Sequence, residues 1–118
     1  MNLPDLHDWE IEAILTDHNA QLVTIRLRFP ETSDTASITF KGVSHFHASK
    51  MMLQNVILDV LIFETAVQSD YFEYCKKVLH ISHDFFSENS QVKILYIEPS
   101  VGFELACSFT EIEFNFNK

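Results

Sequence analysis

A chain of 118 residues that is 47% apolar can fill one core, and it is too apolar to stay disordered at its charge. Eight Lys and Arg stand against 17 Asp and Glu, a net charge of −9 shared almost evenly by the two halves of the chain. A negative surface repels phosphate backbones and anionic lipid, so direct nucleic-acid and membrane binding are excluded as expectations and a basic protein is the favoured partner; the same charge also serves solubility.

The first segment lacks the apolar run of a signal peptide, and no stretch approaches the roughly 20 apolar residues of a membrane span. A cytoplasmic, reducing location is the expectation, with Cys75 and Cys107 unpaired and acting as small core residues. In chain order, Trp9, Ile11, Ala13 and Leu15 alternate with polar residues, and Ile14 interrupts the pattern. After the turn residues Asp17 to Ala20, Val23, Ile25, Leu27 and Phe29 alternate with Thr24, Arg26 and Arg28. The two runs predict a β-hairpin whose outward acids, Glu10 and Glu12, face outward bases.

Pro30 ends the second strand, and Ile38 and Phe40 open a third. Gly42 then shifts the apolar phase, which predicts a bulge or tight bend. Residues 45 to 53 are irregular. Val56 to Phe63 is apolar on both alternating faces apart from Asp59, which predicts a central strand covered on both sides. From Tyr71 the period changes: Tyr71, Tyr74, Cys75 and Val78 fall on one helical face, widened by Phe72 and Leu79, with Ser69 as the N-cap and Lys76 and Lys77 near the C-terminal end. One helix is expected at about 70–80. Residues 81 to 91 read as a polar connection. Val92 to Ile97 is a strand, and the alternation of Phe103, Leu105, Cys107 and Phe109 changes phase at Thr110-Glu111 before Ile112, Phe114 and Phe116, which predicts a second bulge. Glu104, Glu111 and Glu113 are read as an outward acidic row.

These elements predict a single α+β domain, predominantly β: a curved antiparallel sheet or sandwich of about seven strands with one main helix packed on it. Absence of strand–helix–strand alternation excludes a doubly wound parallel sheet. Signals for catalysis are generic. His45-x-His47 places two imidazoles on one strand face, but a metal site needs a third ligand, from His80, His83, Asp84 or Glu64. His80 and His83 fit better as residues near a helix end. His7-Asp8 lacks an accompanying nucleophile, the paired carboxylates fall in regular outward rows, and two Gly make a phosphate-cradling loop improbable. No catalytic residue, metal or cofactor is therefore assigned. Asp59 is singled out because a carboxylate in so apolar a strand needs a partner or an exit to solvent.

The opening Leu6-His7-Asp8-Trp9-Glu10-Ile11, the stretch Ile38-Thr39-Phe40-Lys41-Gly42-Val43 and the apolar strand Asn55 to Phe63 together resemble the first half of small bacterial immunity proteins of polymorphic-toxin and contact-dependent growth inhibition systems. The resemblance implies a non-enzymatic protein that neutralises a co-produced toxin by binding it. Joined to the acidity, it implies a basic toxin such as a nuclease, met by carboxylates drawn from Glu10, Glu12, Asp59, Glu104, Glu111 and Glu113. The alternative is a small ligand- or metal-binding β-domain, or an enzyme using its histidines.

Overall fold

The computed structural model describes residues 3–117, which form eight strands and two helices. The strands are β1 (Glu10–Asp17), β2 (Leu22–Arg28), β3 (Thr35–Lys41), β4 (Phe46–Ser49), β5 (Val56–Phe63), β6 (Lys93–Val101), β7 (Glu104–Phe109) and β8 (Glu111–Asn117). The helices are α1 (Asp70–Leu79) and α2 (Phe85–Glu88). All neighbouring strands are antiparallel, in the order β4-β7-β6-β5-β1-β2-β3-β8. The expected class, a curved antiparallel sheet with one main helix, is what the chain adopts. No helix among the described residues is long and apolar enough to cross a membrane.

Two four-stranded halves make up the sheet. They meet at β1 and β5, where Glu10 and Val56 are the one strand pair and the main-chain bonds Ile57 N–H to Trp9 O (2.9 Å) and Ile11 N–H to Asn55 O (2.8 Å) flank it. They meet again along a bent ribbon. The chain from β3 into β4 runs antiparallel to the chain from β7 into β8, so that β3 pairs β8 in one half and β4 pairs β7 in the other. The bend lies at the two expected phase breaks. Gly42 has φ +66°, and a Cβ there would collide with the Thr110 side chain; Thr110 N–H donates to Lys41 O at 2.9 Å. Each break lets an apolar row stay inward as its strand passes from one half to the other.

The inward rows Val23-Ile25-Leu27, Ala36-Ile38-Phe40 and Leu105-Cys107-Phe109 close one core together with Leu95 and Ile97. In the first hairpin, a register shift between Ile11 and Ala13 turns Ile14 toward that core and leaves Leu15 55% exposed. The irregularity at Ile14 is therefore a β-bulge, and Leu15 is not an inward residue.

The doubly covered strands are β6 and β7, not β5. Ile94, Tyr96 and Ala106 form a second core with Phe72, Cys75 and Leu79 of α1 and with Phe85. Every residue of β7 is buried, whereas in β5 only Ile57 is buried and Leu58 and Asp59 are exposed. The helix crosses the sheet over β6 and β7, so β5 keeps an uncovered stretch despite its apolar composition. Ser69 Oγ caps α1 by accepting from Phe72 N–H at 3.0 Å, and His80 ends it in the left-handed conformation (φ +57°) with Ile81 N–H on Lys76 O. The buried face of α1 is Phe72-Cys75-Leu79, with Tyr71 exposed, a small rotation from the face expected. The connection read as polar contains the single turn α2, whose Phe85 and Phe86 pack on the second core.

Candidate interaction site

The six carboxylates expected to form one acidic face are dispersed. Glu10 and Glu12 do project outward from β1, as expected, but Arg28 on β2 reaches both, at 3.4 Å and 3.2 Å. Glu113 on β8 is 3.1 Å from Lys41, and Glu111 stands opposite Lys41 in the β3–β8 register. Pairs this exposed contribute little to stability, but they neutralise the rows locally. The outer face of β1-β2-β3-β8 therefore alternates in sign.

Glu104 is not outward at all. It is 7% exposed and lies on the helix-covered face of β7. Tyr74 of α1 and Tyr96 of β6 donate their hydroxyls to it, the latter at 2.9 Å, Ser49 of β4 donates at 3.2 Å, and His47 Nε2 lies 3.6 Å away. Burial pushes its carboxyl toward protonation, but the Tyr74, Tyr96 and Ser49 bonds outweigh this and hold it below the usual carboxylate range. Hydrogen bonding to Glu104 and burial push Tyr74 up to about 12, and burial followed by the same carboxylate raises Tyr96 as well. Near neutrality all three keep one protonation state, and both carboxylate oxygens are occupied. This arrangement suits a clasp between helix and sheet better than a proton-transferring site.

The histidines go to separate partners. His45 packs edge-on against Phe85 and lies 3.1 Å from Ser44 Oγ, His47 faces Glu104, His80 caps α1, and His83 Nδ1 is 3.2 Å from Lys76 Nζ. Among the described residues no group of three His, Cys, Asp or Glu is placed to hold a metal. A shallow depression of about 630 Å³ at the β1–β2 turn contains Asp17 and His18, with the Asp17 carboxylate accepting from Ala20 N–H at 3.1 Å.

Asp59 reaches solvent, one of the two resolutions expected for it. It lies opposite Glu98 of β6 and accepts from Val60 N–H at 2.8 Å. The N-terminal segment passes alongside: His7 Nδ1 is 2.9 Å from Leu58 O, His7 N–H donates to Asp5 at 3.0 Å, and His7 Nε2 is 3.4 Å from Asp8. The bond to Leu58 and then the Asp8 charge raise the His7 pKa above its ordinary 6.5. Asp5, Asp8 and Asp59 thus gather beside this part of β5, and Glu98 lies across it on β6, where Tyr71 donates its hydroxyl to it at 2.6 Å; no Lys or Arg pairs with any of the four among the described residues. Beyond Leu58, the side of β5 facing the N-terminal segment pairs with no described strand. A cleft of about 370 Å³ opens there, lined by Leu3, Pro4, Leu6, Val60 and Ile62 together with Asp5, His7 and Asp59.

This constellation combines an unpaired strand edge, a mixed polar and apolar cleft, and carboxylates with no Lys or Arg partner among the described residues. Asp59 was conspicuous in the sequence as the lone acid of its strand. Asp8 stood out only as the partner of His7, and Asp5 and Glu98 not at all, because tertiary pairing brings them to Asp59 across about 40 to 55 residues of chain. Compared with known protein families, with curated proteins and with solved structures, the chain matches none.

Proposed function

We propose that the chain is a non-enzymatic binding protein that neutralises a cognate basic bacterial toxin, and that it engages the toxin along the open edge of β5. The observation carrying this reading is the coincidence of the unpaired β5 edge with Asp5 and Asp59, which line the cleft beside it, and with Asp8 next to them; none of the three pairs with a Lys or Arg among the described residues. An extended segment of a partner can add to such an edge by main-chain hydrogen bonds, and its Lys or Arg can reach the carboxylates. A nuclease toxin carries that charge for its phosphate substrate, so occupying it blocks the site and steers association. The paired acids Glu10, Glu12 and Glu113 contribute to the long-range field but are not the anchors, and the clasped Glu104 has no free oxygen to offer.

The test is titration of the purified protein with the toxin domain encoded beside its gene, at two salt concentrations. Asp5→Lys with Asp59→Lys is expected to weaken binding at least about tenfold and to flatten its salt dependence, because few anchors dominate an interface. Glu10→Gln with Glu12→Gln is expected to change it less than about threefold. Wild-type affinity in the Asp5/Asp59 variant, or no binding at tens of micromolar, would overturn the reading.

A further inference from the structure

The sheet ends in two unlike edges. β4 has four residues, and Lys50, in the left-handed conformation (φ +64°), turns the chain away after it. β8 has seven residues, contains no Pro, Gly or Lys, and pairs β3 from Thr35↔Asn117 to Lys41↔Glu111 without a register shift. Its other side pairs with no described strand. A long regular edge of this kind is a template for another strand unless the sequence blunts it.

The order of residues in β8 says which strand fits. Glu111-Ile112-Glu113-Phe114-Asn115-Phe116-Asn117 is close to a palindrome by residue type. Laid antiparallel against its own copy with Phe114 at the centre, every Glu faces an Asn: Glu111 meets Asn117 and Glu113 meets Asn115. Ile112 meets Phe116, and Phe114 meets Phe114. The apolar positions stay on the face that already packs on the main core, to which Ile112 and Phe114 belong, and Phe116, 45% exposed, gains cover. Sliding the register by two residues toward the N-terminal end puts Glu113 directly against Glu113, and sliding it the other way shortens the pairing. Shifts by one residue oppose inward to outward side chains. In the matched register the nearest like charges are the two Glu113, a diagonal pair in which each is neutralised by Lys41 at 3.1 Å.

We infer that β8 is a homodimerisation edge: two copies pair antiparallel about a two-fold axis at Phe114 and fuse their β1-β2-β3-β8 halves into one eight-stranded layer. Such an isologous contact closes on itself and consumes the edge. One seven-residue strand pair is a small contact, so a weak dimer with a dissociation constant of roughly 1–100 µM is expected. The contact is in the other half of the sheet from the β5 edge, so its failure would leave the proposed function untouched.

Sedimentation equilibrium of the full chain from about 1 to 300 µM, a range set to bracket that constant, tests this, with mass rising from 13.7 kDa toward twice that value. Asn115→Glu places a carboxylate opposite Glu113 in two symmetry-related pairs and is expected to weaken the dimer about tenfold; Asn115→Lys makes the same two pairs attractive and is expected to tighten it several-fold, about fivefold. Asn115 is exposed, so both variants should keep the wild-type circular dichroism spectrum, and the lysine variant alone decides if the glutamate variant is unstable. A monomer throughout the concentration range, a dimer indifferent to Asn115→Lys, or one weakened by both variants would overturn the pairing.

Discussion

Replacing Glu104 by Gln removes one negative charge from beneath α1 and changes almost nothing in shape. In the wild type two phenols and Ser49 donate to the carboxylate. The amide keeps one acceptor oxygen and turns an NH₂ toward the other donors, so one tyrosine hydroxyl loses its acceptor inside the protein. A hydrogen bond to a charged group contributes about 1.5–3 kcal/mol, and the two surviving bonds fall to neutral strength, for a gross loss of about 3 kcal/mol. Relief of the desolvation that the buried charge suffered offsets part of it. The net destabilisation is about 2 kcal/mol, which for a domain of this size lowers Tm by roughly 6–10 °C. Chemical unfolding monitored by circular dichroism measures this, and a double-mutant cycle with Tyr74→Phe is expected to show coupling of about 1 kcal/mol or more. The pH dependence has a defined sign. The folded Glu104 pKa lies below its ordinary value, so its contribution is fully present above the ordinary carboxylate range and is lost as pH falls through the folded pKa. The gap between wild type and Glu104→Gln should therefore be constant around neutrality and close in acid. A variant within about 0.5 kcal/mol of wild type at pH 7, or a gap that widens in acid, would refute the clasp.

Two other predictions follow from the packing. Asn55, 2% exposed, accepts from Met52 N–H (2.8 Å) and Phe103 N–H (3.0 Å) and donates to Met52 O (2.7 Å) and Ile11 O (3.4 Å), tying the β4–β5 loop, β1 and the β6–β7 turn together. Asn55→Ala leaves the buried Phe103 N–H and Ile11 O without this partner, while the Met52 groups, on a residue 60% exposed, can turn to water; it should cost about 3 kcal/mol in urea unfolding, whereas a loss under about 1 kcal/mol would show that the junction does not depend on it. Burial pushes the Cys75 thiol up to about 12 and raises Cys107 further, and both thiols are free. Native protein should therefore react with a thiol reagent at pH 8 only over hours and yield two thiols at once when unfolded, and rapid labelling of the native state would contradict this burial.

The sequence by itself determined the class of fold and most of its strands, because side-chain alternation is a local property and each half-buried strand writes it directly into the chain. It also located the bends. The phase breaks at Gly42 and at Thr110-Glu111 were legible as irregularities of period, although only the structure shows that they face each other at one corner of one ribbon. The helix was legible through its period and its Ser69 cap, but its rotation was not, since Tyr71 and Phe72 are both apolar enough to face inward. What lies on the outer side of each strand was decided by tertiary structure alone. Glu104 and Glu113 occupy equivalent places in an alternating pattern, yet α1 crosses the sheet over Glu104 and leaves Glu113 in solvent beside Lys41. The same crossing covers β6 and β7 in place of β5, whose apolar composition had suggested burial on both faces. Covering depends on where a distant element docks, and the meeting of Asp59 with Asp5, Asp8 and Glu98 depends on which strands pair. Neither leaves a periodic trace in the chain, because periodicity records which side of a strand faces a core and carries no information about what lies beyond the opposite side.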